Sequence, residues 1–272
     1  QGAFASDGTF FGTDSDGKQV WRLRRGIWTA LAGQNGLAAN RPFTTVAINP
    51  RGGEILVFDE GSATFRSQDG GETWRRLFHR SRPGAGDPPW LRITDVSFFA
   101  LSRVVYDPVV PNRIWAGAGT GVFYADMPAD APTVTWTSQT RGVEELVAND
   151  VVQSPGAAPM FAGWDFGIHV KPDLDAFSTT FGPKERMIIA AQQVAITPAD
   201  PFFAATNASD TRDCCAEDGD AVLAGFTRNG GRSWTKFATL PTPPGTAATD
   251  PWRMSFGTLA VSSGDTDNIV WQ

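Results

Sequence analysis

The stretch Ser67-Gln68-Asp69-Gly70-Gly71-Glu72-Thr73-Trp74 fits the Asp-box pattern S-x-D-x-G-x-T-W at every specified position, and it restricts the fold more than any other part of the chain. Alternating residues precede it (Ile55, Val57, then Thr64-Phe65-Arg66) and Trp74-Arg75-Arg76-Leu77 follows, so it reads as a tight turn joining two strands. Each part has a structural task. Gly71 and its neighbour Gly70 accept positive φ, Ser67, Asp69 and Thr73 have short side chains that bond nearby backbone N–H groups, and Trp74 carries a ring to bury between neighbouring sheets. Turn chemistry accounts for Asp69 without a catalytic role.

A degenerate copy, Thr227-Arg228-Asn229-Gly230-Gly231-Arg232-Ser233-Trp234, keeps the spacing, with Asn229, Gly231 and Trp234 standing where Asp69, Gly71 and Trp74 stand. Two boxes in one chain imply repeated four-stranded sheets, the blades of a β-propeller. The opening strands support that period: Val46, Val104, Val151 and Val194 follow one another at 58, 47 and 43 residues, blade-sized intervals. The expected fold is all-β, a β-propeller of four-stranded Asp-box blades. Ten Trp, 29 Gly and 19 Pro in 272 residues suit short strands and frequent turns better than long helices.

The blades are expected at 1 to 31, 44 to 78, 102 to 136, 146 to 177 and 194 to 237, with half a blade from 257 to 272. An unpaired edge there is a liability that closed propellers avoid, so the expectation is a portion of a longer polypeptide. Residues 79 to 96, with Pro83, Pro88-Pro89 and Trp90, make too long a connection to be ordinary.

A net charge of −6 disfavours nucleic-acid and anionic-membrane partners, and no apolar run approaches the ~20 residues that span a bilayer. No cofactor is expected. The Asp14-Ser15-Asp16-Gly17 run has Arg25 where a calcium loop needs its bidentate Glu, so it reads as a solvated turn. His79 and His169 lack ligand spacing, which leaves no metal site. The adjacent Cys214 and Cys215 cannot staple distant segments; two thiols or a strained vicinal disulfide are both open.

Connections after the second strands of the blades, on the side away from the boxes, hold Asp14, Asp16, Asp59, Glu60, Asp165, Asp210, Asp213 and Glu217, with Trp90, Trp164, Phe166 and Trp252 nearby. Carboxylates among aromatic faces suit carbohydrate chemistry: rings stack on sugars while acids move protons. Scattered surface acids with rings tucked between blades are the plainer alternative.

The segment Gly142-Val143-Glu144-Glu145, followed by residues 149 to 167 ending Ala162-Gly163-Trp164-Asp165-Phe166-Gly167, resembles the glycoside hydrolase family 74 xyloglucanases. Those enzymes carry G-[IL]-E-E, a strand, a proline-containing turn and S-A-L-G-D-I-G-G-F, whose Asp is the general acid. The resemblance runs back through Arg103 to Gly121, the first box and Ala5-Ser6-Asp7-Gly8-Thr9, although Trp164 replaces a Gly and Gly167-Ile168-His169 replaces Gly-Gly-Phe. It implies two tandem seven-bladed propellers: 1 to 80 closing the first, 81 to 96 crossing over, and 97 to 272 opening the second. It also implies an extracellular or periplasmic protein that hydrolyses a β-linked glucan such as xyloglucan with inversion. Asp165 would be the acid, Trp90, Glu144, Glu145, Trp164 and Phe166 would bind the polysaccharide or oligosaccharide, and the base would lie outside this chain, leaving the chain alone inactive. In the competing reading Asp165 caps a turn and the propeller binds a protein or glycan without catalysis. A sialidase would need clustered arginines and a nucleophilic Tyr, and Tyr106 and Tyr124 fall within strands.

Overall fold

A computed structural model describes residues 1–91, 100–127, 129–130, 132–143, 146–164, 167–178, 191–208, 224–239, 242, 244–245 and 257–272. Among these the regular structure is β, and the one helical element is a 3-10 turn at 89–91. Two compact units divide the chain: Gln1–Asp87 with Thr94–Glu144, and Pro88–Ile93 with Glu145–Gln272.

The first unit begins with β1 (Gly2–Phe4), β2 (Phe10–Asp14), β3 (Gln19–Arg24) and β4 (Ile27–Ala30), an antiparallel meander in sequence order. Then come β5 (Phe43–Ile48), β6 (Ile55–Asp59), β7 (Thr64–Ser67) and β8 (Arg75–Arg82), and after them β9 (Leu101–Tyr106), β10 (Arg113–Ala118), β11 (Gly121–Asp126) and β12 (Thr133–Ser138). These eight form one sheet, ordered β5-β6-β7-β8-β12-β11-β10-β9, where two separate four-stranded blades are expected. The cause is the length of β8. Residues 75–77 pair with the four-residue β7, and the overhanging Phe78–Arg82 pairs in parallel with β12. The strand thus continues into the stretch that the sequence marks as a connection. Assignment of 1–80 and 97–272 to successive propellers concerns the complete protein, but β9–β12 share a compact unit with β1–β8.

Period-2 alternation divides the core of this unit. On β6, Ile55 and Val57 join Phe11, Val20 and Trp74, whereas Leu56 and Phe58 join Ile114, Phe123 and Trp136. All four β6 side chains are fully buried, each contributing about 1.5–3 kcal/mol relative to exposure. The innermost strands are also stitched by a polar side chain, Thr45 Oγ1 donating to the Ser102 carbonyl at 3.1 Å.

The second unit repeats the logic. It contains β13 (Ala148–Val152), β14 (Met160–Gly163) and β15 (Gly167–Val170), then β16 (Ala191–Thr197), β17 (Asp200–Ala208), β18 (Ala224–Thr227) and β19 (Thr235–Lys236), and finally β20 (Leu259–Val261) paired with β21 (Ile269–Trp271). Val194 and Ala204 pack with Met160, Ile168 and Trp234, while their neighbours Ala195, Phe203 and Ala205 pack with Leu259. Innermost strands are again joined through side chains: Asp150 Oδ2 accepts from Val194 N at 3.0 Å, and Gln193 Oε1 accepts from Leu259 N at 2.7 Å.

Candidate functional site

Both boxes lie between the third and fourth strands of their blades. In the first, Ser67 Oγ donates to Asp69 Oδ1 at 2.8 Å and accepts from Gly71 N at 2.8 Å. The same Asp69 oxygen accepts from Glu72 N at 3.1 Å and Thr73 N at 2.9 Å, and Oδ2 accepts from the Thr73 hydroxyl. Burial acts to raise the Asp69 pKa, but the Thr73 hydroxyl and amide, with Ser67 and Glu72, outweigh it and hold the carboxyl at about 2. A carboxylate so committed has no proton to give near neutrality. Trp74 closes the turn at 7% exposure, against Phe11 and Val20 of the preceding blade.

The acids on the other set of connections divide by environment. Asp59 is 2% exposed, paired with Arg41, and accepts from Ala63 N at 2.7 Å. It pins the β6–β7 turn, whose Ser62 has φ 66°, and is no general base. Asp14 accepts from Gly17 N at 2.9 Å in an exposed turn, and Asp16 and Glu60 are exposed. Asp165, Phe166, Glu144 and Glu145 lie outside the described residues, as do Asp210, Asp213, Glu217, Trp252, Cys214 and Cys215.

What is described around Asp165 is its frame. The flanking strands pair Gly163 with Gly167, whose φ is 71°, and Met160 with Val170. Trp164 is half-buried and its backbone N donates to the Val147 carbonyl at 2.8 Å. His169 is 5% exposed on β15; burial, helped by Lys171, lowers its pKa to about 4, so the ring is neutral near pH 7. Trp90, expected as a sugar platform, is only 3% exposed in its 3-10 turn, so its ring has no open face in this chain. Among the described residues no group of three or more His, Cys, Asp or Glu is placed to hold a metal.

One cluster of open rings was missed in the sequence. Phe4, Trp21 and Trp28 are 71%, 37% and 55% exposed. With Phe10 they make a continuous series, tilted at Phe4–Phe10 (centroids 5.1 Å apart) and edge-on at Phe10–Trp28 (6.0 Å) and Trp21–Trp28 (6.5 Å). The register explains the grouping: Phe4 pairs with Phe10, Phe10 with Leu23 and Leu23 with Trp28, so all fall on one face of β1–β4. Strand alternation was the available signal; it needed the cross-strand register to become a surface.

No protein-family model matches the chain. It is 25% identical over 305 aligned residues to a xyloglucanase from a Paenibacillus species, covering 97% of this chain and 27% of that protein. It is 23% identical over 319 residues to an oligoxyloglucan-reducing end-specific xyloglucanase from Emericella nidulans, covering 96% of this chain and 38% of the relative. In fold, all of the chain superposes on 39% of the family 74 xyloglucanase from Xanthomonas campestris, with a TM-score of 0.73 and 21% identity. All of it likewise superposes on 38% of the Niastella koreensis family 74 enzyme, at 0.67 and 18%. The chain therefore spans well under half of these proteins, and it is an all-β, propeller-type chain similar in sequence to xyloglucanases and in fold to family 74 enzymes.

Proposed function

We propose that this chain is part of a glycoside hydrolase that cleaves a β-linked glucan of the xyloglucan type with inversion of configuration. Asp165 is its general acid, and the base comes from a segment outside these residues. The observation that carries the reading is the similarity to a xyloglucanase over 97% of the chain. Inversion sets an acid and a base roughly 6.5–9.5 Å apart across the scissile bond. Two of the described acids do not compete for either role, because Asp59 is paired with Arg41 and Asp69 is consumed by its own turn.

In this reading Glu144, Glu145, Trp164 and Phe166 contact the polysaccharide, and an apolar wall from Trp164 and Phe166 raises the Asp165 pKa so that it holds its proton near neutrality. The complete protein is two tandem propellers, the chain supplying the end of one and the start of the next. It acts outside the cytoplasm, where such polysaccharides are met.

The deciding experiment is Asp165→Asn in the complete protein. General acid catalysis contributes ~10²–10⁴-fold, so kcat on xyloglucan should fall by that order while substrate binding and folding persist. Substrates with good leaving groups, which need little protonation, should lose much less. Equal losses on both substrates would assign Asp165 a structural role, no loss would place the general acid at another residue, and absence of hydrolysis by the complete wild-type protein would leave a propeller that binds a glycan or protein without this chemistry.

A further inference from the structure

The two boxes dock on their preceding blades through homologous positions, and the second docking site has lost what fills the first. A Cβ built on Gly71 would lie 2.7 Å from Phe11, and one built on Gly231 would lie 2.7 Å from Val170 Cγ2 and 2.9 Å from Met160 Sδ; Phe11 and Met160, each on the second strand of its blade, are equivalent. Phe11 pairs with Arg22 and Met160 pairs with Val170. Two residues further on, Arg24 corresponds to Pro172. At the first box Arg22 and Arg24 clamp Glu72, at 2.6 and 3.1 Å, and both reach the Gly70 carbonyl. At the second box both arginines are replaced, by Val170 and Pro172, and Glu72 is replaced by Arg232.

The change leaves an open cavity of about 220 Å³, walled by Ala158, Val170, Pro172 and Phe202 and edged by Gly230 and Arg232. Arg232 is exposed and has no partner among the described residues. Phe202 is 49% exposed, and its carbonyl is fixed by Gly230 N at 2.9 Å. Asn229, by contrast, is committed within the box to Thr227 and Ser233. A planar fork of donors beside an apolar wall and an open ring face selects a carboxylate carried on a small ring. The volume admits about one monosaccharide.

We propose that this cavity is a binding subsite for a carboxylate-bearing sugar, a uronate, whose carboxylate meets Arg232 and whose ring lies on Phe202. The subsite lies at the ends of β13–β15 opposite the β14–β15 connection, so occupancy is separable from hydrolysis, and the inference does not depend on the role of Asp165.

The test is NMR titration of the full chain with D-glucuronate, D-glucose and acetate. Glucuronate should give saturable shifts at Gly230, Gly231 and Phe202, with a midpoint on the order of tenfold lower than glucose, which lacks the charged bidentate contact, and lower also than acetate, which lacks the ring that lies on Phe202. Arg232→Gln should abolish the preference, Arg232→Lys should retain part of it, and Phe202→Ala should weaken glucuronate but leave acetate unchanged. Because Arg232 is exposed, its variants should melt with the wild type, so loss of binding will not reflect unfolding. Equal response to acetate and glucuronate, insensitivity to Arg232→Gln, or tighter binding of a Glu-rich peptide than of glucuronate would each overturn the proposal.

Discussion

The first box is capped by a carboxylate and clamped to its neighbour, and the second is capped by a neutral amide and borders an open seam. In the first, Asp69 Oδ2 accepts from the Thr73 hydroxyl; in the second, Asn229 Nδ2 donates to Ser233 Oγ at 2.7 Å. The direction of that bond is reversed while the geometry is kept. Gly70 and Gly71 have φ of 73° and 83°, and Gly230 and Gly231 have 69° and 82°. Thr227 Oγ1 still accepts from Gly231 N at 3.0 Å, as Ser67 Oγ does from Gly71 N. The turn therefore needs a short side chain that receives the backbone N–H four residues on, together with glycine at two positive-φ positions. The negative charge is an addition.

The largest expected effect lies where the first box meets the turn at Asn35 and Gly36. Trp74 N donates to the Asn35 carbonyl at 2.8 Å, and a Cβ on Gly36, whose φ is 92°, would stand 2.0 Å from the Trp74 carbonyl oxygen. Backbone cannot rotate away as a side chain can. Gly36→Ala should cost about 3 kcal/mol or more, combining positive-φ strain with displacement of the box. Gly231→Ala should cost less than Gly71→Ala, because the methyl group meets Val170, which borders the cavity and can shift toward it, and flexible Met160, whereas at Gly71 it meets the fully buried ring of Phe11. Urea titrations of the three variants test the order, and Gly231→Ala proving the most damaging would break it.

Next in size is loss of the capping side chain itself. Asp69→Ala removes the acceptor of two backbone N–H groups and two hydroxyls, which should cost about 1–2 kcal/mol, whereas Asn229→Ala should cost nearer 1 kcal/mol. Asp69→Asn should be milder than Asp69→Ala, since the second box shows how an amide serves. If Asp69→Asn destabilises as much as Asp69→Ala, the charge is essential and the equivalence of the boxes fails.

The boxes, the blade period and most strands were legible because they rest on local chemistry: glycine pairs, short polar caps and period-2 apolar runs. Three features were not. The eight-stranded sheet depends on Phe78–Arg82, five mostly polar or basic residues whose strand character comes from pairing with β12 and not from their own pattern. The burial of Trp90 and the exposure of Phe4, Trp21 and Trp28 depend on what each ring packs against. Sequence gives a ring's identity but not its neighbours, and an aromatic beside carboxylates reads equally as platform or core. Nor do Asp59 and Asp165 differ by composition; Arg41, 18 residues from Asp59, is what neutralises it, a pairing set by tertiary contact.

The charge distinguishes the boxes through pH. The folded pKa of Asp69, about 2, lies below the unfolded value of about 3.9, so on acidification the unfolded chain takes up the proton first. Its stabilisation is complete above roughly pH 5 and is lost as pH falls through the folded value; exposure of the carboxylate keeps the amplitude small. Urea midpoints at pH 5 and pH 2.5 should fall further for the wild type than for Asp69→Asn. Equal falls would mean that the turn does not favour the charged form.

The smallest effect belongs to the clamp. Arg22 and Arg24 both reach Glu72, but its side chain is 53% exposed, and pairs in that setting are screened and held at an entropic cost. Glu72→Gln should therefore cost no more than about 0.5–1 kcal/mol at low salt and nearly nothing at 1 M, where the Debye length is about 3 Å. The two arginines still donate to the Gly70 carbonyl, which keeps the box seated after the charge is gone. Glu72→Arg, which copies the second box, should do more harm than Glu72→Gln, because at the first box it faces Arg22 and Arg24 where Arg232 faces Val170 and Pro172. The double change Arg22→Val with Glu72→Arg should recover part of that loss. Recovery would show that the arginine of the second box became tolerable only once its cationic neighbours had gone; an additive double mutant would mean that the two losses arose independently.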